Sequence, residues 1–103
     1  MSKPEAKGLA PFDASDYLDN DETIAEYLAA ALENPDQDAF LTAVRDVAMA
    51  RGIADVAARA GLGRESLYKT LKPGAKPRFD TVRRLLSALG VKLDVSSSRE
   101  RVG

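Results

Sequence analysis

A short polar segment in the second half of the chain carries residue types that contact nucleic acids. Within six positions it holds five such side chains: Arg64, Glu65, Ser66, Tyr68 and Lys69. Leucines at positions 67 and 71 recur at helical spacing, so a helix that buries them presents the polar side chains on its other face. An arginine there suits a bidentate contact with guanine, and a glutamate can accept from the cytosine amino group. The same pattern also fits a half-buried packing tyrosine and a surface ion pair between Glu65 and Lys69.

The residues before this segment have the spacing of a helix, a tight turn and a second helix. Ala57 falls where two helices cross, and Gly61 follows where a left-handed backbone is least costly for glycine. Leu62 fills the gap, and three more apolar residues complete the contact: Val56, Ala60 and Leu67. The spacing predicts a helix-turn-helix over 53–71, whose second helix points its N-terminal residues at base edges. By itself, it also fits two short helices that merely pack together.

A loop rich in proline and glycine adds three cations after the second helix. Lys72, Lys76 and Arg78 lie in this loop, where they can bind phosphates and so raise affinity without reading sequence. Together with Arg64 and Lys69, they favour DNA binding over a plain packing unit.

Charge is divided between the two halves of the chain. Residues 1–50 hold eleven acidic and three basic side chains, a balance of −8, whereas residues 51–103 hold five and twelve, a balance of +7. The net charge of −1 hides this division. Such a chain can present a positive face to a polyanion and a negative face to a basic partner.

Two absent residue types exclude several kinds of chemistry. The chain has no cysteine and no histidine, so thiolate zinc sites, cysteine nucleophiles and Ser-His-Asp catalysis are excluded. The acidic residues between positions 13 and 38 are more typical of a solvated face than of a metal cluster. We therefore expect a non-enzymatic protein without a cofactor. The longest apolar run, 27–32, is too short to cross a bilayer, and no secretory signal opens the chain, which predicts a cytoplasmic protein.

Hydrophobic periodicity predicts one all-α domain over residues 12–95. The first helix is capped by Asn20 or Asp21, ends at Asn34-Pro35, and places five apolar residues on one face: Ile24, Tyr27, Leu28, Ala31 and Leu32. Further helices are predicted over 36–51, 53–60, 64–71 and 79–89. We expect a flexible arm at 1–11, a possible short strand at 12–18 and a disordered tail at 96–103. Alternation of Val91, Leu93 and Val95 predicts a short C-terminal β-strand.

These residues together resemble a known family. The chain is similar to Xre-type, lambda-repressor-like DNA-binding domains, and more closely to the addiction-module antidote proteins, HigA-like antitoxins of type II toxin–antitoxin systems. The resemblance covers about residues 12–95, and its most distinctive parts are 64–69 and 77–81. It departs from the family pattern at Ile53, where a phosphate-binding glutamine is usual, and at Leu71, which carries the late apolar position instead of Thr70. It also departs at Gly63, where a turn serine is usual, and at Arg78, where a serine or threonine cap is usual.

The resemblance implies both a fold and partners. The fold is a five-helix lambda-repressor-like helix-turn-helix domain with a short C-terminal β-strand. The partners are a small basic RelE/HigB-like toxin, which the protein neutralises, and its own double-stranded DNA operator, which it represses as a homodimer. The acidic half then suits the toxin and the basic half the operator.

Other functions remain open at this point. The chain also fits a stand-alone transcriptional regulator, or a protein-interaction adaptor that has lost DNA binding. The last helix and the 91–95 segment either form a dimer interface or close the core of the monomer.

Overall fold

The computed structural model describes residues 20–98, which form five helices and contain no strand. The helices are α1 (Asp21–Leu32), α2 (Gln37–Arg51), α3 (Ile53–Ala60), α4 (Arg64–Leu71) and α5 (Phe79–Ala88). The all-helical prediction is confirmed. The predicted arm at 1–11, the possible strand at 12–18 and the end of the predicted tail lie outside the described residues.

Local signals set the limits of the first two helices. The Asn20 side chain caps α1, because its Oδ1 accepts a hydrogen bond from the Thr23 N–H at 2.9 Å. Asp36 caps α2 in the same way, accepting from the Asp38 N–H at 3.0 Å. Gly52 ends α2 with a positive φ of 104°.

The core of the described residues is wholly apolar. Helix α1 packs on α2, α2 also contacts α3 and α4, and α5 packs on α3. The fifteen buried side chains come from all five helices and from the end of α5: Ile24, Leu28, Leu41, Ala43, Val44, Val47, Ala48, Val56, Ala57, Ala60, Leu67, Leu71, Leu85, Leu86 and Leu89. Since α2 contacts three other helices, one core positions both the acidic first helix and the α3–α4 pair.

The core does not cover the whole of the predicted apolar face of α1. Ile24 and Leu28 are buried and Tyr27 and Ala31 pack against the core, but Leu32 is 53% exposed. It lies in the last turn of α1, where its side chain lines an open groove with Phe40 and Leu93.

The predicted strand over 91–95 is wrong for the described residues. Helix α5 ends in a Schellman-type turn, in which the Val91 N–H donates to the Leu86 carbonyl at 3.0 Å and Gly90 takes a φ of 86°. Val91 then packs against the core, while Val95 is 92% exposed. Alternation alone does not make a strand, because a strand needs a neighbouring edge and none is present within residues 20–98.

No helix in the described part of the chain is long and apolar enough to span a bilayer.

Candidate nucleic-acid interface

A tight turn at Gly61 joins α3 to α4. Gly61 has a φ of 74°, in the left-handed region, and its N–H donates to the Ala58 carbonyl at 3.1 Å. The next N–H, of Leu62, donates to the Ala57 carbonyl at 2.8 Å, and the Leu62 side chain packs half-buried against the core. A Cβ on Gly61 would make only an ordinary 3.4 Å contact with Arg84. The backbone conformation, rather than lack of space, therefore requires glycine.

Helix α4 buries one side and exposes the other. Leu67 and Leu71 lie in the core, whereas all five candidate base-reading residues are exposed: Arg64, Glu65, Ser66, Tyr68 and Lys69. Tyr68 is 39% exposed, so its ring is only partly covered. Glu65 and Lys69 form no ion pair in the described structure, which leaves both free for a ligand.

The helices that flank the basic loop begin without a side-chain cap. Gly63 precedes α4 and has no side chain, and Arg78 precedes α5 with a guanidinium that cannot accept a capping hydrogen bond. Both positions are among those at which the sequence departs from the pattern of the family it resembles. The positive ends of both helix dipoles thus add to the cations nearby.

The basic loop exposes its three candidate phosphate ligands. Lys72, Lys76 and Arg78 all lie at the surface, and a turn at Gly74, with a φ of 84°, separates the first two. The Arg78 Nε lies 3.5 Å from Asp80 Oδ1, with side-chain exposures of 85% and 65%. An ion pair this exposed contributes little, so Arg78 can exchange Asp80 for a phosphate at small cost.

Helix α2 holds this loop in place. The Gly74 N–H donates to Asp38 Oδ1 at 3.0 Å, and the Gln37 Nε2 lies 3.4 Å from the Ala75 carbonyl, a long and weaker hydrogen bond. No local sequence pattern indicates these contacts, because Asp38 and Gly74 are 36 residues apart in the chain. Sequence reasoning likewise missed Phe79, which follows the loop, is 66% exposed and lies 5.9 Å from the Arg83 guanidinium.

A different surface is formed by α1 and the end of α5. No lysine or arginine occurs from position 20 to position 44, and Asp21, Glu22 and Glu26 are exposed on α1. The open groove that Leu32 lines lies beside these acidic residues. Its lining is mainly apolar: Ala25, Leu28, Ala29, Leu32, Phe40, Leu86, Val91, Lys92, Leu93 and Asp94. This surface is suited to a basic partner that also carries an apolar contact.

One tyrosine links α1 to α2. The Tyr27 hydroxyl donates to Asp46 Oδ2 at 2.8 Å. Burial raises the pKa of Tyr27 to about 12, and the hydrogen bond to Asp46 and its negative charge act in the same direction. The described residues contain no cluster of carboxylates that could hold a metal ion.

These features define a small helical protein with an exposed cationic helix and loop, and with an acidic surface carried by another helix. Its sequence matches the model of a family described as "Probable addiction module antidote protein" over residues 8–97. A Haemophilus influenzae protein described only as "Uncharacterized protein" is 36% identical over 91 residues, which is 88% of this chain and 94% of that protein. No solved structure matches this chain.

The chain belongs to the addiction module antidote family. The predicted resemblance to antidote proteins is therefore confirmed. Membership implies a toxin as the partner, and it suggests a regulatory rather than a catalytic role.

Proposed function

We propose that this antidote protein is also a sequence-specific DNA-binding protein that represses its own operon. The observation that carries the proposal is the division of α4 into a buried leucine side and an exposed side bearing Arg64 and Lys69. Three more exposed cations lie in the loop that follows α4: Lys72, Lys76 and Arg78. In a helix-turn-helix, the second helix enters the major groove with its N-terminal residues toward the bases, and flanking cations bind phosphates.

The arrangement fits a lambda-repressor-like domain that acts as a homodimer in the cytoplasm. The glycine turn and the burial of Ala57 and Leu67 support a helix-turn-helix. One such motif covers about half of a typical operator, so two-fold symmetry supplies the second half-site. Arg64 and Glu65 are the proposed base-reading residues, and Lys72, Lys76 and Arg78 the proposed phosphate ligands.

For the toxin, we propose the acidic surface of α1 and the adjoining groove. A small basic toxin of the RelE/HigB type is complementary to a surface on which Glu22 and Glu26 have no basic neighbour along α1. Exposed apolar side chains such as Leu32 provide the contact that charge alone does not.

The DNA proposal is tested with two double variants that change the net charge equally. Arg64→Ala/Lys69→Ala removes exposed cations from α4, whereas Arg45→Ala/Lys92→Ala removes exposed cations from α2 and from the segment beside α1. Gel-shift titration uses a duplex from the region upstream of the protein's own gene. We expect the first variant to lose specific binding and the second to retain it. Equal loss in both would refute a role of α4 beyond net charge.

The toxin proposal is tested by co-expression with the protein encoded next to this gene. Glu22→Lys/Glu26→Lys is expected to abolish co-purification and to leave the gel shift intact. Arg64→Ala/Lys69→Ala is expected to do the reverse. If either variant lost both activities while its circular dichroism spectrum and melting temperature stayed unchanged, the two surfaces would not be separate.

A further inference from the structure

The hydrogen bond between Asp38 and Gly74 joins an acidic residue to the most basic loop of the chain. Asp38 lies in the first turn of α2, is half-buried, and accepts from the Gly74 N–H at 3.0 Å. Gln37, its neighbour, supplies the only other side-chain hydrogen bond from a different helix to this loop within the described residues. At 3.4 Å that second bond is the weaker of the two.

The prolines at 73 and 77 fix φ at their own positions, but Gly74 between them still needs a constraint from outside the loop. Glycine has the greatest backbone freedom in the unconstrained chain, and the loop is mostly exposed. Its one internal backbone hydrogen bond runs from the Ala75 N–H to the Lys72 carbonyl at 3.1 Å. Lys72 and Lys76 lie on either side of Gly74, so holding the Gly74 backbone restricts the relative positions of the two cations.

We infer that Asp38 is a positioning residue for DNA binding, holding the basic loop so that Lys72 and Lys76 meet the phosphate backbone in register. This inference rests on the proposed DNA-binding function. It assigns Asp38 a role opposite to that of its charge, because a carboxylate near DNA by itself weakens binding. The carboxylate oxygen contributes as a hydrogen-bond acceptor, not as an anion.

Two substitutions separate these effects, since they remove the same charge. Asp38→Asn keeps an oxygen that can accept from the Gly74 N–H, and Asp38→Ala removes it. With a duplex from upstream of the gene as the probe, Asp38→Asn is expected to bind at least as tightly as the unaltered protein. Asp38→Ala is expected to bind about fivefold more weakly than Asp38→Asn, the change for one ordinary hydrogen bond. For Asp38→Ala, the slope of log affinity against log salt should be smaller in magnitude by about 0.9, which corresponds to one phosphate contact.

Asp36→Ala controls for damage to the helix. It removes the capping bond to the Asp38 N–H, but Asp36 makes no hydrogen bond to the loop. It is expected to lower the melting temperature of the protein and to leave the salt dependence of DNA binding unchanged. If Asp36→Ala altered the salt dependence as much as Asp38→Ala does, the effect would come from the helix terminus and the inference would be overturned.

Amide hydrogen exchange of Gly74, followed by NMR on the full chain without DNA, gives an independent readout. We expect faster exchange in Asp38→Ala than in Asp38→Asn, with unchanged exchange at core amides such as that of Leu67. Equal exchange rates of the Gly74 amide in the two variants would overturn the hydrogen bond between Asp38 and Gly74. Equal DNA affinities of the two variants would overturn the positioning role alone. Failure of the unaltered protein to bind the duplex would instead overturn the proposed function, and this inference with it.

Discussion

The salt dependence of DNA binding follows from the number of exposed cations at the proposed interface. Besides the base-reading Arg64, four such side chains are available to phosphates in each protomer: Lys69, Lys72, Lys76 and Arg78. If each neutralises one phosphate, log affinity falls with log salt at a slope of about −3.6 for one protomer and about −7 for a dimer. Raising the salt from about 50 to about 200 mM then weakens one bound protomer roughly 150-fold.

Fluorescence anisotropy with a labelled upstream duplex measures this slope directly. Removing two loop cations, Lys72→Ala/Lys76→Ala, is expected to reduce its magnitude by about 2 per protomer. The control Arg45→Ala/Lys92→Ala changes the charge equally and is expected to leave the slope as it was. A slope near zero in the unaltered protein would refute phosphate binding by this face. Equal slopes in the two variants would refute the assignment to the loop.

Three further predictions concern stability, measured by urea unfolding. Leu67→Ala should cost about 2–5 kcal/mol, because this leucine is fully buried between the helices; a cost below about 1 kcal/mol would contradict its place in the core. Gly61→Ala should lower the free energy of unfolding by about 1–2 kcal/mol, because Gly61 has a left-handed backbone. Gly63→Ala should lower it less, because Gly63 has a φ of −76°. Equal effects of the two substitutions would argue against the left-handed conformation of Gly61. Since burial raises the pKa of Tyr27 to about 12, the unfolded chain loses this proton first, so stability should fall as pH rises from about 10 to about 12. In Tyr27→Phe, the free energy of unfolding should fall less over this pH range. A pH profile of stability identical to that of the unaltered protein would disprove the contribution of Tyr27.

The parts of the fold that depend on neighbours in sequence were predictable. Gly61 and Leu67 belong to a motif of less than twenty residues, so spacing alone placed the turn and the buried side of α4. The cap of α1 was predicted as Asn20 or Asp21, because capping depends on the residues that follow, and the structure places it at Asn20. The eight candidate DNA contacts all proved exposed, but exposure does not test what they bind.

The parts that depend on distant partners were not predictable. Leu32 fits the helical periodicity of α1, yet its burial depends on residues distant in sequence, Phe40 and Leu93, which line an open groove with it. Val91 and Val95 alternate as in a strand, but pairing requires a second edge that the periodicity cannot reveal. The contact between Asp38 and Gly74 crosses 36 residues, and nothing in either local sequence indicates it.

Asp38 also shows why charge counted along the chain differs from charge placed in the fold. It belongs to the acidic half by sequence, but its carboxylate lies at the basic loop. The two halves are not separate modules, because α2 contacts α1, α3 and α4 and contributes to one shared core. A buried substitution in α2, such as at Val47, therefore disturbs both proposed binding surfaces and cannot distinguish them. Only exposed positions carried by different helices, such as Glu26 on α1 and Arg64 on α4, can separate toxin binding from DNA binding.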